Sequence, residues 1–240
     1  DLLVGNSALL LTVSDSLNAT ATDTINVVVN EAPSVNDIPN QLFTVGQTVG
    51  VPFNQILSTS NGTAPYTYSV SSDNELVSVV ELDGNQLSVS PSTEAGVATI
   101  TYTSLDARNV LSTKTFVVEV NEAVEVSNPV GNILLDLTPI DNPNRVAPSD
   151  TTLTLNLGNI FAGGSGSLSY AAQSNGDYFN FVYDEPNSSV TINGLSIGNG
   201  GYFTVAATDS FEVSAVDTVF INVVNSEYPD SAPYWDTVSL

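Results

Sequence analysis

Carboxylates are the side chains with which this chain could do chemistry. It carries 26 Asp and Glu against Arg108, Lys114 and Arg145, a net charge of −23, and has no His, Cys or Met. Nitrogen- or sulfur-ligated metals, Ser-His-Asp and Cys-His nucleophiles, iron–sulfur clusters and disulfide frameworks therefore all lack their parts. A nucleic-acid partner is excluded too, because such binding rests on cations that displace counterions from phosphates. What remains is oxygen chemistry, either a hard cation on converging carboxylates or a glycosidase-type acid pair. No acid pair stands in a distinctive, unrepeated segment, so the chain reads as not an enzyme. The run Gly163-Gly164-Ser165-Gly166-Ser167 lacks the Lys and helix of a phosphate cradle and reads as a loop.

The elements that position these acids repeat along the chain. Asp15, Asp106 and Asp209 each close an apolar segment, and each is followed nine residues later by a Thr that opens another: Thr24, Thr115 and Thr218. Both landmarks keep one spacing, 91 residues from first to second and 103 from second to third. The segmentation that follows is an incomplete unit at 1–31, complete units at 34–122 and 126–225, and the first strand of another at 228–240. The chain is accordingly expected to be a segment of a longer one, with export signal and anchor outside it. An apolar run near 18 residues is absent, so no membrane insertion is expected in this segment.

Within each unit the hydrophobic period is two. Ala98, Ile100 and Tyr102 alternate with threonines, Phe116, Val118 and Val120 alternate with Val117 and Glu119, and Phe203, Val205 and Ala207 repeat the pattern. Gly, Asn, Asp and Pro interrupt every eight to twelve residues. This predicts an all-β fold, tandem immunoglobulin-like or cadherin-like sandwiches of about seven antiparallel strands each. The extra length of the later unit is expected as a loop near Pro139–Asp150, where three prolines deny a central strand.

Tyr66-Thr67-Tyr68-Ser69-Val70, Asn85 to Pro91, Gly96 to Tyr102 and Thr115 to Asn121 resemble the bacterial cadherin-like or immunoglobulin-like tandem repeats of large surface proteins. Ile38-Pro39-Asn40-Gln41 with Val45-Gly46-Gln47 is similar to the start of the dystroglycan-type cadherin-like unit. The resemblance implies secreted, extracellular, non-catalytic modules of bacterial cell-surface adhesins, stalks or filaments. The calcium-binding stretches of true cadherins, with several Asp within five residues, are missing, so the family's metal binding does not transfer with the fold.

In a seven-strand sandwich the loops after the second, fourth and sixth strands share the pole where the chain enters. That places Asp83 and Asp106 near Glu31, and Asp184 and Asp209 near Glu122. Asp73 and Glu75 are expected at the opposite pole of the 34–122 unit. Such acids would suit Ca²⁺ at inter-repeat junctions; equally, turn acids bond their own backbone. No other cofactor is indicated. Asp-Ser/Thr-apolar triplets make Ser16, Thr24, Thr151, Thr218 and Thr237 candidate O-glycan acceptors, although a turn Asp before a β-branched strand residue produces the same triplet. The function expected is a structural module of a long extracellular fibre, filament or surface adhesin. Its partners would be neighbouring repeats or identical subunits. The alternative is an adhesin module that binds a surface glycan or protein through pole loops, and a third is an accessory domain of a secreted enzyme.

Overall fold

The computed structural model describes residues 4–138 and 152–225. The strands run in chain order. An opening hairpin consists of β1 (Gly5–Ser14) and β2 (Thr20–Val29). The first sandwich follows as β3 (Ser34–Val35), β4 (Gln41–Thr44), β5 (Phe53–Ile56), β6 (Thr59–Ser60), β7 (Thr67–Ser72), β8 (Ser78–Asp83), β9 (Gln86–Pro91), β10 (Gly96–Leu105) and β11 (Leu111–Asn121). The second consists of β12 (Glu125–Val126), β13 (Ile133–Asp136), β14 (Thr152–Asn156), β15 (Phe161–Ala162), β16 (Ser169–Asn175), β17 (Phe179–Asp184), β18 (Ser189–Gly194), β19 (Gly198–Thr208) and β20 (Ser214–Val224).

The two sandwiches have the same sheets. A four-stranded sheet is ordered β4-β11-β10-β7 in one and β13-β20-β19-β16 in the other; a three-stranded sheet is ordered β5-β9-β8 and β14-β18-β17; a two-stranded pair is β3-β6 and β12-β15. The expected all-β sandwich is therefore present twice, with seven strands in the two main sheets of each. β13 runs parallel to β20, while the hairpins β1–β2, β10–β11 and β19–β20 are antiparallel. The predicted extra loop at 139–150 lies outside the described residues.

Period-two alternation becomes burial because successive side chains of a strand point to opposite faces. On β10 the burial alternates residue by residue, with Ala98, Ile100 and Tyr102 sealed and the threonines between them half-exposed. Across the sandwich Leu87 and Val89 of β9 are equally sealed. In the second core Phe203, Val205, Val219 and Ile221 face Val190 and Ile192, all fully buried. Each such side chain contributes about 1.5–3 kcal/mol through the apolar area it removes from water.

By compactness the chain divides into two units, one of Asp1–Gln41 with Val51–Val120 and one of Leu42–Gly50 with Asn121–Leu240.

Candidate functional site

The three landmark aspartates build one turn three times. Asp15 Oδ1 accepts from the Leu17 and Ala19 N–H groups at 2.8 and 2.9 Å. Asp106 Oδ1 accepts from Arg108 and Val110 at 2.8 and 2.9 Å, and Asp209 Oδ1 from Phe211 and Val213 at 2.9 Å each. The fourth residue of each turn is left-handed: Asn18 at φ 63°, Asn109 at 60° and Glu212 at 65°. A side-chain oxygen that satisfies the N–H groups two and four residues on holds this left-handed backbone in place.

The second carboxylate oxygen reaches out of the turn. Asp106 Oδ2 accepts from the Thr63 N–H at 3.0 Å, and Asp209 Oδ2 from the Ser165 N–H at 3.0 Å. The residues before each unit are held by the same loops. Asn30 Nδ2 donates to Thr63 Oγ1 at 3.1 Å and Asn121 Nδ2 to Ser165 Oγ at 3.0 Å; the Glu31 carbonyl accepts from Gly62 N–H and the Glu122 carbonyl from Gly164 N–H. Close approach demands glycine here. A Cβ on Gly163, at φ 79°, would stand 2.1 Å from the Ala123 carbonyl oxygen.

In the second unit the node gains a further donor. The Thr44 hydroxyl donates to Asp209 Oδ2 at 2.7 Å, and Ser165 Oγ lies 2.6 Å from Thr44 Oγ1. With the Thr44 proton committed to the carboxylate, the Ser165 hydroxyl is the donor of that second bond. All three residues are buried. Burial pushes the Asp209 carboxyl up, but the Thr44 hydroxyl and the N–H groups of Ser165, Val213 and Phe211 outweigh it and hold it below the usual carboxylate range. Asp106 is lowered first by the Val110 N–H, against some burial, and further by the N–H groups of Arg108 and Thr63 and the Arg108 charge.

The other expected acids lie as follows. Asp73 Oδ1 accepts from the Thr99 N–H at 2.7 Å and clasps β10 to the preceding turn. Glu75 is exposed just before β8, Asp83 is exposed at its end, and Asp184 Oδ2 accepts from Asn187 Nδ2 at 2.7 Å. Glu31 and Asp106 meet at one loop and Glu122 and Asp209 at another, through the glutamate carbonyls rather than their carboxylates. Among the described residues no three acids come together so as to hold a metal ion.

Ser16 and Thr24 are exposed on the opening hairpin and Thr218 on β20, while Thr151 and Thr237 lie outside the described residues. The triplet aspartates also serve the backbone: Asp23 accepts from Thr24 N–H and Asp217 from Val130 N–H. Sequence reasoning missed Thr44, Ser165, Asn30 and Asn121. The one available signal was the recurrence of Asn before Glu at 30–31 and 121–122, at the same 91-residue spacing.

No protein-family model matches the chain, and no curated protein does. Among solved structures it is similar to extracellular cadherin domains of protocadherin gamma B7, at 17% identity over 91% of this chain and 57% of that one, with TM-score 0.40. An I-band fragment of titin follows at 9% identity over 91% and 74%, TM-score 0.47, and Drosophila N-cadherin at 13% over 92% and 58%, TM-score 0.39. The chain thus spans a little over half the length of the two cadherin chains. Likeness at this level says nothing of ligand, partner or chemistry, and the sandwich architecture stands on the strand pairing above.

Proposed function

We propose that the chain is a non-catalytic structural module of a long extracellular fibre, filament or surface adhesin, made of β-sandwich repeats in series. One observation carries this reading. The same linker lock is built twice, from Asn30, Glu31, Gly62, Thr63 and Asp106 and again from Asn121, Glu122, Gly164, Ser165 and Asp209. A catalytic carboxylate needs free lone pairs and a perturbed proton near the operating pH. These aspartates are instead held ionised by N–H and O–H donors, which suits a part that resists deformation.

Pulling the full chain from its two ends tests the reading. We expect two discrete ruptures, each releasing about 300 Å of chain, the contour of some 90 residues. Thr44→Val should lower the force of one of them. Smooth extension without ruptures would overturn the proposal.

A further inference from the structure

The opening hairpin is dressed for burial and lies bare. All ten residues of β1 and nine of the ten of β2 are exposed. Its antiparallel register nonetheless matches those of β10–β11 and β19–β20: Leu10 stands opposite Thr24, Thr101 opposite Thr115, and Thr204 opposite Thr218. Leu9, Leu11, Ile25 and Val27 therefore hold the places of Ile100, Tyr102, Phe116 and Val118, and of Phe203, Val205, Val219 and Ile221. The former set is 41–54% exposed, whereas the latter eight are at most 2% exposed.

What covers such a hairpin is visible twice in the same molecule. Its second strand is flanked by a first-type strand, β4 or β13; its first strand is flanked by β7 or β16; and a three-stranded sheet lies over its apolar face. We propose that β1–β2 is the docking face for an incomplete sandwich of the repeat's own build, lacking only its last two strands. That partner adds one strand beside β2 and one beside β1, and it covers Leu9, Leu11, Ile25 and Val27 with a three-stranded sheet. Backbone ladders along both edges supply affinity, and the apolar rows supply register.

An independent observation points to the same occupant. Asp209 Oδ2 accepts from two donors, Ser165 N–H and the Thr44 hydroxyl at the end of a first-type strand, whereas Asp106 Oδ2 accepts from Thr63 N–H alone among the described residues. Docking brings the end of the partner's first-type strand to Asp106, as β4 brings Thr44 to Asp209. The site is independent of any load-bearing role, because it follows from register and exposure.

The test extends the full chain at its front with residues 34–91 of its own sequence, so that Gly5 takes the place of Gly96. Hydrogen exchange of the β1 and β2 amides is the readout. Docking slows their exchange at least ~100-fold relative to the unextended chain, toward the rates of β10 and β11. A second extended chain carries Leu9→Ile, Leu11→Tyr and Ile25→Phe, which makes the new core identical to the first sandwich at these positions. The proposal is overturned if only this matched chain is protected, or if neither is. It is also overturned if the unextended chain protects the hairpin in proportion to its own concentration, since a second copy would then be the occupant.

Discussion

Asp209 satisfies four donors with two oxygens, so its loss is felt by all of them. Asp209→Ala strands the N–H groups of Ser165, Phe211 and Val213 and the Thr44 hydroxyl. We expect it to cost the second unit about 2–3 kcal/mol in urea unfolding, with Thr44→Val nearer ~1 kcal/mol and the double variant less than additive. The carboxyl is held low in the folded state, so the unfolded chain binds the extra proton first as pH falls. Its contribution is therefore present above the ordinary carboxylate pKa and is lost as pH drops through the folded value. Melting curves of the natural chain and Asp209→Asn should accordingly converge as pH falls from about 5 toward 2. The spacing of Asp15, Asp106 and Asp209 was legible in the sequence, as was a turn role. Thr44 and Ser165 were not, because hydroxyl residues abound and these two stand 121 positions apart.

At the level of elements, legibility followed length. β10, β11, β19 and β20 have ten or eleven residues each, enough for a period of two to declare itself and for the register to be read from paired landmarks. β3, β6, β12 and β15 have two residues each, which can show no period. The parallel run of β13 beside β20 was equally hidden, since it follows from where the chain returns and not from side-chain alternation. The loop from Gly163 to Ser167 shows how a short element acquires a fixed shape. Gly163, Gly164 and Gly166 all have positive φ, and together they present Ser165 N–H and Oγ to the node. Gly163→Ala meets both an unfavourable backbone region and the Ala123 carbonyl. It should destabilise the second unit by about 2 kcal/mol or more in the same urea assay while leaving first-unit amides unchanged in hydrogen exchange.

For the molecule as a whole, a charge of −23 is the dominant long-range term. Self-repulsion among exposed carboxylates opposes the compact state, and it weakens as the Debye length contracts from about 30 Å at 0.01 M salt to about 8 Å at 0.15 M. Raising NaCl across that range should raise Tm. Ca²⁺ compared with NaCl at matched ionic strength tests the junction expectation: a Tm gain beyond that of NaCl supports a specific site, and an equal gain counts against one. The scarcity of cations has another side. Lys114 lies within β11 with its Nζ 2.8 Å from Asp37 Oδ1, and the N–H of Arg108 is pinned inside the Asp106 turn. A protease that cuts after basic residues must enter an extended peptide, and at these two positions it finds a paired strand and a tight, side-chain-braced turn. Either cut therefore waits on opening of the first sandwich, so cleavage after Arg108 or Lys114 reports that unit's opening equilibrium where reclosing outpaces the enzyme.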